Sequence, residues 1–155
     1  MVIDWINNKF QTAFSNAELE SIKDFSLIWN VFERYVCANY FTIARAEAAL
    51  RLQNFNLNDF DAHLAYFKNR YIQNGQVNNR FANLNFRRND REDFVKDVLL
   101  GTITSEHEVI LALTIIVSRF RNNLFHGIKE IQLIDRQNEN FHIANSFLTK
   151  LMDYY

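Results

Sequence analysis

No residue of this 155-residue chain is proline, and only Gly75, Gly101 and Gly127 are glycine. Sandwiches and barrels reverse direction through many tight turns, which draw on residues that tolerate positive φ or fix φ near about −65°. A chain so poor in both must run in long uninterrupted segments, and helices are what such segments form when their apolar positions recur at three and four. Hydrophobic residues make up 48% of the chain, with 15 Phe among them, so a packed core is expected and disorder is not. The longest apolar stretch, positions 109–117, is about half of the ~20 residues a membrane span needs and reads as a core helix. The fold class expected is all-α, an up-and-down bundle of five to six helices in one domain spanning 1–155.

The helices are placed by their periodicity and their ends. An amphipathic opener covers 2–14, with Trp5, Ile6, Phe10 and Phe14 near helical spacing. Asn16 is a candidate cap for a long second segment, 17–52, with a break near Asn39; Phe25, Trp29, Phe32, Val36 and Tyr40 form one stripe along it. A third covers 57–72 and stops at Asn74-Gly75, and a fourth covers 90–100 and stops at Gly101. Thr104 or Ser105 caps a fifth that runs to His126, and a last segment covers 138–153. Asn is dense between 54 and 89, which reads as a loop-rich middle.

A formal net charge of −1 excludes a globally basic nucleic-acid-binding domain, and the single Cys37 excludes an internal disulfide framework and a cysteine zinc site. No secretory signal is visible at the start, and a cytoplasmic protein is expected. The balance conceals an asymmetry. Between Tyr66 and Arg91, Lys68, Arg70, Arg80, Arg87, Arg88 and Arg91 stand against Asp90 alone, a local charge of +5 against −6 elsewhere. Tyr66, Phe67, Tyr71, Phe81 and Phe86 interleave with these bases. Guanidinium groups for phosphates and aromatic faces for unstacked bases would hold single-stranded RNA, with Arg80, Arg87 and Arg88 as the contacts. The alternative is a solvated basic face whose aromatics turn into the core.

The end of the fifth helix carries the chemistry: Ser118-Arg119-Phe120-Arg121-Asn122-Asn123-Leu124-Phe125-His126-Gly127. Cations and amides at the end of an otherwise apolar helix need partners or a wet cleft. They could simply complement the helix dipole and its last carbonyls. They could also serve RNA cleavage, where the ribose 2′-hydroxyl is the nucleophile and the protein needs only to move protons and stabilise charge. A His near neutrality does the first, an Arg fork the second, and an Asn orients either. That chemistry requires no metal and no cofactor. Elsewhere, Glu106-His107-Glu108 reads as a solvated first turn, and His63 and His142 as structural or exposed.

The segment resembles the HEPN superfamily of higher-eukaryote and prokaryote nucleotide-binding domains. Arg121 and His126, with four residues between them and Asn122 directly after the Arg, match its signature, as do Gly127 and the preceding apolar helix. Arg119 stands at the longer permitted spacing; Arg121 is preferred because Asn122 follows it. The stretch Ile28-Trp29-Asn30-Val31-Phe32-Glu33-Arg34-Tyr35 resembles the early helix of that superfamily, where an acid approaches the site, here Glu33. The resemblance implies a metal-independent endoribonuclease leaving 2′,3′-cyclic phosphate and 5′-hydroxyl ends, with Arg121, Asn122, His126 and Glu33 in the site and Arg119 beside it contacting RNA. It also implies a homodimer joined through the motif helices, and a toxin or antiphage-defence role with an antitoxin or other defence-system partner. The alternative is a HEPN-like module that binds RNA or a nucleotide without cutting it. Ile128 stands where one branch carries a modifiable Tyr, so that mode of neutralisation is not implied.

Overall fold

The computed structural model describes residues 1–125 and 137–155. His126, Gly127 and Ile128 therefore lie outside the described residues. Within them the chain is mostly helical: α1 (Val2–Phe10), α2 (Glu20–Tyr35), α3 (Ile43–Leu50), a 3-10 turn (Leu57–Phe60), α4 (Asp61–Tyr71), α5 (Asn79–Ala82), α6 (Glu92–Leu99), α7 (Glu106–Phe125) and α8 (Asn138–Met152). The only strands among the described residues are β1 (Ile72–Gln73) and β2 (Gln76–Val77), an antiparallel pair with Ile72 opposite Val77. No described helix is long and apolar enough to cross a membrane.

The all-α expectation holds, with more and shorter helices than expected. The segment 17–52 is two helices. α2 ends at Tyr35, Ala38 and Asn39 take positive φ (50° and 86°), and Thr42 caps α3 by accepting from the Arg45 amide at 3.1 Å. Asn16 is not a cap: the turn before α2 is fixed by Ser15 and Glu18, whose side chains bond each other and each other's amides. Asn74-Gly75 does not merely stop α4. Both residues have positive φ (53° and 72°) and form the turn between β1 and β2, the geometry a two-residue hairpin requires. Gly101, at φ 83°, ends α6 as expected.

α7 is the central element. Its positions 109–120 are all buried, covered by α3, α4 and α6 of its own chain, while α2 packs along α8. The two hydroxyls in that stretch are satisfied locally: Thr114 donates to the Ile110 carbonyl at 2.8 Å and Ser118 to the Ile115 carbonyl at 2.6 Å. Phe25, Trp29, Phe32 and Val36 of the α2 stripe enter the core, whereas Tyr40 lies beyond the helix, exposed under the Arg45 guanidinium at 3.7 Å. The body of the long apolar helix α7 is covered within its own chain. That helix uses its apolar surface inside the chain, and only its first and last turns leave the core.

Candidate functional site

The last turns of α7 carry polar side chains in two directions. At about 100° per residue, Arg119 and Arg121 point to nearly opposite sides of the helix. Arg119 and Asn123, one turn apart, face the segment between α5 and α6. Arg119, 1% exposed, donates through Nε to the Leu84 carbonyl (3.1 Å) and through Nη2 to the Asn85 carbonyl (2.7 Å), and pairs through Nη1 with Asp90 (2.9 Å). Asn123 donates to the carbonyls of Asn83 and Leu84, both at 3.2 Å. Burial pulls the Arg119 pKa below the usual guanidinium value, and the Asp90 carboxylate opposes that pull. The expectation that Arg119 contacts RNA is corrected here: its donors are committed to two backbone carbonyls and a carboxylate inside the protein. Asp90 also accepts from the Arg87 amide at 2.7 Å, so one ion pair fixes the loop at both ends.

Arg121 faces α2. It is half-buried, donates to the Asn122 side chain at 3.2 Å, and lines a cavity of about 130 Å³ together with Ser26, Trp29, Asn30 and Glu33. Glu33 is held by two donors: the Trp29 indole N–H on one oxygen and the Phe41 amide on the other, each at 2.7 Å. The first bond joins residues one turn apart on α2, and the second ties down the segment leading to α3. Of the residues expected in the site, Arg121 and Glu33 thus border one cavity, Asn122 bonds Arg121, and His126 lies outside the described residues. No family model, curated protein or solved structure matches the chain. The resemblance rests on the motif residues alone.

The basic middle divides into side chains with different tasks. Arg80, Arg87 and Arg88 are exposed and form no ion pair among the described residues. Arg91 pairs with Glu47 at 3.0 Å and covers the Phe94 ring at 4.4 Å. The aromatics do not offer faces to bases. Phe67, Tyr71 and Phe81 are buried, with Tyr66 and Phe86 packed against them, so the aromatic half of the RNA-stacking expectation is corrected to core packing. Glu106 and His107 are not simply solvated either: Glu106 accepts from the Phe55 amide (2.7 Å) and His107 Nε2 lies 2.8 Å from the Gln53 carbonyl, tethering 53–55 to α7. His63 is buried beside Ser146, and His142 is exposed. Cys37 is fully buried, and burial pushes its thiol up to about 12, which keeps it protonated and inert.

Sequence reasoning did not name Asp90 as the partner of Arg119. Among the described residues, no three His, Cys, Asp or Glu side chains converge as metal ligands would. A cavity of about 590 Å³ between α1 and the start of α2 is mostly apolar and lies away from the motif residues.

Proposed function

We propose that this chain is a metal-independent endoribonuclease whose site is built at the last turn of α7. In this reading the RNA 2′-oxygen attacks the adjacent phosphorus, the bond to the 5′-oxygen breaks, and the products carry 2′,3′-cyclic phosphate and 5′-hydroxyl ends. His126 moves the proton between the two oxygens, Arg121 holds the non-bridging oxygens as negative charge builds, and Asn122 keeps the Arg121 fork in place. Glu33 shapes the wall opposite Arg121 and, through Trp29 and Phe41, keeps it rigid.

The observation that supports this reading is the cavity shared by Arg121 and Glu33. A half-buried guanidinium at the end of a buried helix, lining a cavity that a carboxylate also lines, is arranged to meet a ligand. A second copy completing the site across the last turn of α7 belongs to the same proposal, as does a toxin or antiphage-defence role with an inhibitory partner.

The deciding experiment incubates the purified protein with mixed RNA in EDTA and analyses the new ends. Cleavage with cyclic phosphate ends, abolished by His126→Ala and by a 2′-deoxy residue at the cut, is the expected result. RNA that is retained but left intact would establish the binding-module alternative, and 5′-phosphate ends would refute the mechanism.

A further inference from the structure

A second polar site lies on the other side of α7. Arg70, on the last turn of α4, and Arg80, on α5, line a cavity of about 40 Å³ with Tyr71, Asn123, Gln137 and Asn140. Neither cation forms an ion pair among the described residues. The Arg70 Nε is buried without a hydrogen-bond partner, and its guanidinium lies 5.8 Å from the Tyr71 ring. A buried donor left unpaired retains its full desolvation cost, so such donors in native proteins ordinarily have a use.

Two side-chain acceptors at this cavity, on Asn140 and Gln137, are already occupied. Asn140, 3% exposed, accepts from the Tyr66 hydroxyl at 2.8 Å and donates to the Gln137 side-chain oxygen at 2.9 Å. That leaves the second N–H of the Asn140 amide, since a carboxamide carries two. Burial and the Glu139 carboxylate raise the Tyr66 pKa, while the field of Arg70, a hydrogen bond from it and the field of Arg80 lower it, so both cations act on the same corner. A cavity bordered by two guanidinium groups, with no carboxylate among the described residues of its lining, suits a ligand that accepts.

Size and shape narrow the ligand. About 40 Å³ is room for roughly three water-sized groups, at about 10–15 Å³ each. Two guanidinium forks arriving from different elements offer more donors than one planar carboxylate can accept, whereas the non-bridging oxygens of a phosphoryl group match them in number. Arg80 also borders an open hollow of about 360 Å³ lined by Asn69, Gln73, Asn78 and Asn79, which leaves space for the remainder of a phosphate ester.

We propose that the cavity between the end of α4, α5 and the start of α8 is a binding site for one phosphoryl group, held between Arg70 and Arg80 beside the Asn140 amide. This goes beyond the ribonuclease reading, because the site uses none of Arg121, Asn122, His126 or Glu33 and requires no cleavage. The group is either an RNA phosphodiester or the terminal phosphate of a small ester.

The test is an arginine-edited NMR titration of the full chain with inorganic phosphate at constant ionic strength, followed by competition with one short RNA in 5′-phosphorylated and 5′-hydroxyl forms. The Arg70 Nε–H signal, assigned through Arg70→Lys, should shift saturably. Affinity should fall about tenfold or more in Arg80→Gln, which is exposed and spares the fold, and stay unchanged in Arg51→Gln. Displacement by the phosphorylated RNA alone identifies a terminal phosphate site, and equal displacement by both identifies a diester site. No saturable shift with phosphate or either RNA overturns the proposal, as does an equal loss in Arg80→Gln and Arg51→Gln. RNA that is cut while the Arg70 signal stays fixed overturns this site and leaves the ribonuclease reading standing.

Discussion

Arg119 and Arg121 are two residues apart on one helix and have the same chemistry, yet they belong to different parts of the molecule's work. Arg119 is 1% exposed and satisfies Leu84, Asn85 and Asp90. Arg121 is half-buried and borders a cavity with Glu33. The difference comes from what each side of α7 faces. One side meets a loop rich in Asn, without regular hydrogen bonding of its own, whose carbonyls need donors. The other meets a helix whose backbone is already paired, so an arginine there has only side chains and solvent to address. A guanidinium therefore builds structure where it meets unpaired backbone, and where it meets a finished helix it is turned to side chains and a cavity.

The largest expected effect tests the first half of that contrast. Arg119→Met removes one member of a buried ion pair, leaves the Asp90 carboxylate without its cation, and takes a donor from each of the Leu84 and Asn85 carbonyls. It should cost about 3 kcal/mol or more in urea unfolding, with Arg119→Lys recovering only part because a point charge cannot reproduce the fork. Arg121→Ala should change stability by no more than about 1 kcal/mol and lower RNA cleavage by about 10²–10³-fold. If Arg121→Ala unfolds the protein as readily as Arg119→Met, the division of labour between the two sides is wrong. A stable Arg119→Met protein with no activity would place the reaction on the other side of the helix.

A third, smaller effect concerns the wall opposite Arg121. Both Glu33 oxygens accept, from the Trp29 indole and the Phe41 amide. In Glu33→Gln one of these donors must face an amide NH₂ in place of an oxygen, which should cost about 1–3 kcal/mol. Arg121 would also lose the charge across the cavity. A drop in stability with unchanged cleavage would make Glu33 a structural anchor only. A fall in kcat beyond what the folded fraction explains would place it with Arg121.

Much of this fold was legible in the sequence, for physical reasons that also explain the failures. The end of α6 and the start of α7 follow from local chemistry, a glycine taking positive φ at 101 and acids at a helix start, and the α2 stripe follows from spacing. The second meaning of Asn74-Gly75 was overlooked because only two residues on either side pair as strands, too few for alternation to register. The hidden partner of Arg119 is a different kind of failure. Asp90 is 29 residues away, and nothing in a one-dimensional pattern separates an arginine that meets a carboxylate from one that meets RNA. Trp29 and Glu33, by contrast, are one turn apart on a helix and could have been read as a pair. The aromatics of the basic middle were ambiguous for a simple reason: a ring in a core and a ring awaiting a base look alike until the neighbouring helices are known.

The smallest effect separates stability from activity as pH falls. His63 is buried, its Nε2 is 2.9 Å from the Ser146 hydroxyl, and its ring meets Phe60 and Phe147. Burial lowers its pKa from the ordinary 6.5, so the folded protein holds this imidazole neutral. The unfolded chain then binds the proton first. Stability contributed by a neutral His63 is fully present above pH 6.5, declines as pH falls below it, and levels off once the folded pKa is passed. Asp59, whose pKa is held below 3.8 chiefly by the Tyr154 hydroxyl, acts with the same sign in a more acidic window and does not overlap. Urea midpoints measured from about pH 8 to about pH 5 should therefore decline in the wild type and decline less in His63→Gln. The cleavage profile of the folded protein should be the same in both, because the proposed proton carrier is His126 and α4 takes no part in the cavity of Arg121. If His63→Gln also moves the pH profile of cleavage, the two sides of α7 are coupled, and the separation between the arginine that builds and the arginine that binds fails.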